Sequence, residues 1–167
     1  MSKAGARIAA IGEVDEANSA IGAAIATLAA DSKLGLRLRQ IQNEMFDLGA
    51  DLATPVGSDF EVHALRVVAR QVTRLEEEID LMNEGLGPLT SFILPGGSLA
   101  VAMLHLARAT VRRAERVAVA LHLAEPVNAF AIAYLNRLSD HLFVAARQHA
   151  AGEGGDVLWQ PGATREA

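Results

Sequence analysis

The chain has 167 residues, of which 51% are apolar and only 4% aromatic; it contains no cysteine and carries a net charge of −5. A single domain of this size buries roughly 68–70% of its unfolded surface and needs no staple, and the lack of Cys excludes a disulfide framework, thiol chemistry and the usual zinc ligand sets. The acidic balance argues against nucleic acid or an anionic membrane as a broad electrostatic partner.

Lys3, Arg7, Glu13, Asp15 and Glu16 interrupt the N-terminus, so no signal peptide is expected, and a cytoplasmic protein is. Ala and Leu dominate the apolar residues, which favours helix. The first predicted helix runs from Arg7 to Ala30. The second carries Leu34, Leu38, Ile41, Met45, Leu48 and Leu52, alternating four and three apart; the third repeats the pattern with Leu65, Val68, Val72, Leu75, Ile79, Met82 and Leu86. That spacing is the seam of helices packed at shallow angles. Between them, the Thr54–Ala64 connection holds Pro55, Gly57, Ser58 and Asp59.

The uncharged stretch from Gly85 to Ala107 is long enough to cross a bilayer, but its Gly85, Gly87, Pro88, Pro95, Gly96 and Gly97 make it a loop followed by a helix start. A fourth helix is expected from about Ser98, as N-cap, to Ala124, and a fifth from about Val127 to Ala150, with Pro126 at its start. The expected fold is therefore all-α, a five-helix up-and-down bundle over residues 1–152. Residues 153–167 form a Gly-rich tail that contains Trp159 and Pro161.

The fourth helix carries the chemistry. On a wheel with Arg108 at zero, Arg112 falls at about 40°, Glu115 at about −20°, His105 at about 60° and Arg116 at about 80°. Arg113 points elsewhere, at about 140°, toward the row of Met103, Leu106, Thr110 and Val117. Periodicity alone allows two readings of this face: a solvated stripe with Glu115 screening its Arg neighbours, or an anion site. Four Arg within nine residues and no Lys favour phosphate, which the planar guanidinium fork binds in bidentate fashion. On the fifth helix, Asn136 and Asp140 are i,i+4 neighbours, with Arg147 further along the same face. Tyr134, Leu135, Leu138, Leu142 and Phe143 surround them with apolar side chains, so both polar groups need partners, which the Arg row could supply. Asp15 and Glu16 interrupt an apolar helix; either could pair with an Arg within the chain or across an interface, or simply face solvent. No Glu-x-x-His pair, His-Glu-x-x-His, Walker loop or nucleophile elbow is present.

Five segments together resemble the PduO-type ATP:cob(I)alamin adenosyltransferases. They are Gly12-Glu13-Val14-Asp15-Glu16-Ala17-Asn18-Ser19 with Ile21-Gly22; Ile41-Gln42-Asn43 leading to Leu48-Gly49-Ala50-Asp51-Leu52-Ala53-Thr54-Pro55; Ser91-Phe92-Ile93-Leu94-Pro95-Gly96-Gly97; Arg108 with Arg112-Arg113-Ala114-Glu115-Arg116; and Tyr134-Leu135-Asn136-Arg137-Leu138-Ser139-Asp140. They stand in the family's order and spacing across nearly the whole chain.

The resemblance implies a homotrimeric bundle with active sites between subunits. It implies ATP phosphates held by Arg112, Arg113, Glu115 and Arg116, with Asn136 lining the nucleotide site and Lys3 reaching ATP. Asp15 and Arg108 match a pair that bridges two subunits, and Phe92 matches an aromatic below the corrin ring. Mg²⁺ is implied with ATP, without assigned protein ligands. The implied reaction transfers the 5′-deoxyadenosyl group of ATP to the cobalt of cobalamin. A flavoprotein reductase and an adenosylcobalamin-dependent enzyme are the implied partners; neither nucleic acid nor membrane is. Family members also carry a Gly- and Thr-rich stretch upstream of the lysine, so a longer native chain is expected. The alternative to the enzyme is a corrinoid carrier on the same bundle that has lost ATP turnover.

Overall fold

Alanine repeats decide how the first helix packs. In α1 (Ala6–Ala26), Ala10, Val14, Ala17, Ile21 and Ala24 alternate four and three apart, and all are buried. They face the equally small Ala107, Ala114 and Ala118 of α4 (Leu99–Ala124), so the two backbones approach closely. α4 also packs on α5 (Ala129–Ala151), α1 on α2 (Lys33–Ala53), and α5 on α3 (Ala69–Asn83). The computed structural model describes residues 5–165, and among these the fold is all-α: five helices, a 3₁₀ turn at Glu61–His63 and no strand.

The predicted seam of α2 is the buried one. Leu38, Ile41, Met45, Leu48 and Leu52 are all within the core, each such side chain contributing about 1.5–3 kcal/mol relative to exposure. Ser32 caps α2 by accepting the Gly35 N–H at 3.0 Å, and Ser98 caps α4, as expected, by accepting from Val101 at 3.4 Å. At α5 the cap is Asn128, which accepts from Phe130 at 3.1 Å, so the helix starts after Pro126 and Val127 rather than on them.

Other helix ends differ from expectation too, and α3 also closes early, at Asn83 rather than Leu86. α1 stops at Ala26, where the Thr27 side chain turns back to the Ala24 carbonyl at 2.7 Å. α3 starts at Ala69, four residues later than the Leu65 periodicity indicates, and Leu65 and Val68 are about half exposed. The cause is Asp51, a fully buried carboxylate near the end of α2. It accepts from the Arg66 guanidinium at 2.7 Å, the Val67 N–H at 2.8 Å and the Asn128 amide at 2.6 Å. With residue 67 held by its backbone to a side chain, the segment stays extended and Val67 takes the core position instead.

A second polar chain is buried between α2, α3 and α5. Tyr134 donates to Glu44, Glu44 and Glu78 both accept from Arg74 at 2.5 Å, and Glu78 lies 2.7 Å from the ring of the fully buried His141. None of the described helices is long and apolar enough to cross a membrane.

Candidate active site

The polar face of α4 looks toward α5, and its arginines are short of negative charge. Among the described residues Arg108, Arg112 and Arg116 make no ion pair; Arg116 only donates back to the Arg112 carbonyl at 3.1 Å. The Arg108 guanidinium lies 6.0 Å over the Phe143 ring, with its Nε buried and unpartnered. Burial first, and then the charge of Arg112, pull Arg108 below the ordinary guanidinium value. Three cations packed this way without carboxylates favour a bound anion.

Glu115, which the wheel places among them, is turned to α5 rather than to an arginine. It accepts from the Asn136 amide at 2.7 Å, while the Asn136 carbonyl accepts from Arg137 at 2.5 Å and 3.1 Å. Arg137 in turn pairs with Asp140 at 3.0 Å. Asn136 and Asp140 thus find their partners in Glu115 and Arg137, not in the α4 arginine row.

Arg113 is not brought to this face. It forms ion pairs with Glu13, at 2.5 Å, and with Glu16, tying α4 to α1. Asp15, between those two acids, points away into a groove of about 550 Å³ between α1 and α2, lined by Ile8, Ile11, Met45, Phe46 and Ala50. It makes no ion pair among the described residues, so one chain does not join it to Arg108. Lys3 lies outside the described residues.

Phe92 projects from the loop between α3 and α4, 77% exposed, at the edge of a cavity of about 430 Å³ lined by Leu89 to Ile93 and by Phe143. The tail lies along this loop. Ile93 and Leu158 form an isolated antiparallel bridge, and the Phe92 and Trp159 rings are 6.0 Å apart at 52°. Behind Phe143 sits His105, buried, with neither ring nitrogen partnered; burial, then Arg108, lower its pKa below 6.5 against the opposing pull of Asp156.

Phe143 is the residue that sequence reasoning undervalued. It lies two turns beyond Asn136 on one helical stripe, which was signal enough to place it beside the Arg row. Trp159 and Arg137 offered no comparable periodicity. For a divalent cation, no group of three His, Asp or Glu converges among the described residues.

The profile of the family described as cobalamin adenosyltransferase matches residues 1–149. The corrinoid adenosyltransferase of Mycobacterium tuberculosis (strain ATCC 25618 / H37Rv) is 48% identical over 169 residues, spanning 100% of this chain and 86% of that protein. The cobalamin adenosyltransferase of Cupriavidus metallidurans is 44% identical over 155 residues, spanning 92% and 80%. Among solved structures, a Phe-to-Ala variant of the PduO-type ATP:corrinoid adenosyltransferase from Lactobacillus reuteri, complexed with cobalamin and ATP, matches with a TM-score of 0.88 at 38% identity, over 96% of this chain and 89% of that one. With a fitting profile over most of its length and relatives this similar, the chain belongs to the cobalamin adenosyltransferase family.

Proposed function

We propose that this protein is a cytoplasmic enzyme that transfers the 5′-deoxyadenosyl group of ATP to the cobalt of cob(I)alamin, forming adenosylcobalamin and releasing triphosphate. The observation that most supports this reading is the double role of Phe143. One of its neighbours is the unpaired Arg108, at 6.0 Å, and it also lines the cavity that Phe92 overhangs. An anion-seeking face and an apolar, ring-lined cavity therefore share a wall, which suits a nucleotide and a corrin side by side.

In the reaction the Co(I) lone pair forms the Co–C bond to ribose C5′ while the C5′–O bond breaks and its electrons leave on triphosphate. No proton needs to move at the reacting atoms. The protein's work is to hold C5′ near cobalt and to meet the growing negative charge on the leaving group. Arg112 and Arg116 hold the triphosphate, and Mg²⁺ would add positive charge against the leaving group. Asn136 and Glu115, locked together at 2.7 Å, fix the floor beneath the nucleotide. Phe92 excludes water and the lower base from cob(II)alamin, which favours the four-coordinate form that is more easily reduced.

The same reading makes the protein a trimer. The α1–α2 groove is apolar, carries the 71% exposed Phe46 and ends in the unpaired Asp15; the α4–α5 face offers the unpaired Arg108. A closed ring of three copies brings Asp15 of one subunit to Arg108 of the next. The partners that fit this reading are a flavoprotein reductase supplying the electron and an enzyme that uses adenosylcobalamin.

The test is an anaerobic assay of the purified chain with ATP, Mg²⁺ and chemically reduced cob(I)alamin, following loss of the cob(I)alamin absorbance. A light-sensitive alkylcorrinoid and released triphosphate are expected. Corrinoid bound without triphosphate release would replace the enzyme with a carrier.

A further inference from the structure

Phe92 stands on a loop of 15 residues between α3 and α4 that is neither helix nor strand, with its ring 77% exposed. A side chain that must press on one face of a planar ring needs a fixed backbone, and ordering such a loop is entropically costly. Among the described residues, the hydrogen bonds that positions 87–94 make to the rest of the chain go to two places only, Arg147 and residues 157–159.

The tail contacts have a defined geometry. The Leu94 N–H donates to the Val157 carbonyl at 2.8 Å, the Trp159 N–H donates to the Phe92 carbonyl at 2.8 Å, and the Ser91 hydroxyl donates to the Trp159 carbonyl at 2.7 Å. These bonds flank the Ile93–Leu158 bridge, so Phe92 and Trp159 are directly opposite and on the same side of the ribbon. Their ring separation of 6.0 Å is that of a cross-strand aromatic pair. Trp159 therefore backs Phe92.

A two-stranded ribbon is marginal by itself, and its anchor is Arg147 of α5. Nε of Arg147 donates to Asp156 at 3.0 Å, just ahead of the tail's paired residues, and Nη2 donates to the Gly87 carbonyl at 2.9 Å, at the start of the loop. Both side chains of the ion pair are largely buried. One turn earlier on the same helix, and on the same face, lies Phe143, which shares the cavity with Phe92. The Arg147 fork thus fixes the loop and the tail to the helix that carries the opposite cavity wall.

We propose that Trp159, together with the Asp156–Arg147 pair, positions Phe92 in the adenosyltransfer site, so that the tail sets how closely the phenyl ring meets the lower face of the corrin. This rests on the corrinoid reading above. None of the three touches the reacting atoms; they act through Phe92. Their loss should leave ATP handling alone and act on the step that depends on Phe92, the formation of four-coordinate cob(II)alamin.

The test uses the full chain with ATP and Mg²⁺. Bound cob(II)alamin is examined by electron paramagnetic resonance for its four-coordinate fraction, and turnover is measured from cob(II)alamin with a reductant and from pre-reduced cob(I)alamin. Trp159→Ala and Asp156→Ala should each lower the four-coordinate fraction and the cob(II)alamin rate about tenfold or more, with less than about a threefold change in the cob(I)alamin rate and in KM for ATP, since misplacement of about 1 Å can cost as much as 10²-fold. Trp159→Phe should restore most of the loss, and the melting temperature of Trp159→Ala should stay near wild type because Trp159 is 44% exposed. A wild-type four-coordinate fraction in both alanine variants overturns the positioning role. Absence of corrinoid binding and turnover in the wild-type chain overturns the enzyme reading itself, and this inference with it.

Discussion

Tyr134 donates its phenolic proton to Oε2 of Glu44 at 2.5 Å, joining α5 to α2 with both groups out of solvent. Burial first, and then the Glu44 charge, push the phenol well above its ordinary value of 10.0, so it remains a donor throughout the physiological range. Arg74 accounts for the rest of the Glu44 charge and links it to Glu78 and His141. A buried polar chain of this kind stabilises only while every member has its partner.

Removing one member tests that. Tyr134→Phe keeps the ring and deletes the donor, and should cost about 1.5–3 kcal/mol, the usual worth of a hydrogen bond to a charged group. Urea denaturation should show a lower midpoint with an unchanged slope; an unchanged midpoint would mean that Arg74 and Gln40 satisfy Glu44 without the phenol.

The same chain gives an acid dependence. Burial alone would raise the Glu78 pKa, but the His141 hydrogen bond and charge, and then Arg74, outweigh it and hold the carboxyl below its ordinary 4.5. A depressed carboxylate contributes stability above the unfolded value, and that contribution is lost as pH falls through the folded value. The stability gap between wild type and Glu78→Gln should therefore be widest above about pH 5 and close progressively below it. A gap that is constant with pH, measured by chemical denaturation, would remove Glu78 as its source.

How far the sequence announced these features depends on the range of the interaction. The α2 seam and the Ser98 cap were legible because both are set by neighbours within a turn. The α3 start was not, because Leu65 and Val68 continue the apolar period and only the distant Asp51 breaks it. Arg74 and Glu78 look like an ordinary surface i,i+4 pair until Glu44 and His141 close over them. At the site, the stripe of Arg108, Arg112 and Arg116 could be drawn on a wheel, whereas Arg113's commitment to Glu13 spans 100 positions and no local pattern announces it.

Arg112→Lys retains the charge but loses the planar fork. If Arg112 grips the leaving triphosphate, turnover should fall by about 10²-fold or more, the scale on which transition-state charge stabilisation acts, while the melting temperature stays near wild type because the side chain is exposed. Steady-state kinetics with saturating ATP read this directly; near wild-type kcat would deny it the role.

Asp15→Asn separates assembly from folding. Asp15 is exposed and makes no ion pair among the described residues, so the isolated bundle should melt as before. If Asp15 meets Arg108 of the next subunit, sedimentation should show a weakened trimer at micromolar concentration and turnover should fall with it. An intact trimer with full activity would leave Asp15 an ordinary surface acid.

Asp51 has one more consequence, for how the α2–α3 connection breathes. The Val67 N–H belongs to no helix, yet it ends on a buried carboxylate that also holds Arg66 and Asn128. Opening that amide requires three elements to part together, so in deuterium it should exchange as slowly as the amides of the core, while residues 59–63, solvent-facing and held only by a short 3₁₀ turn, label far sooner. A stretch that looks like one loop is thus two dynamic regimes, divided at the point where a single side chain takes over from helical hydrogen bonding.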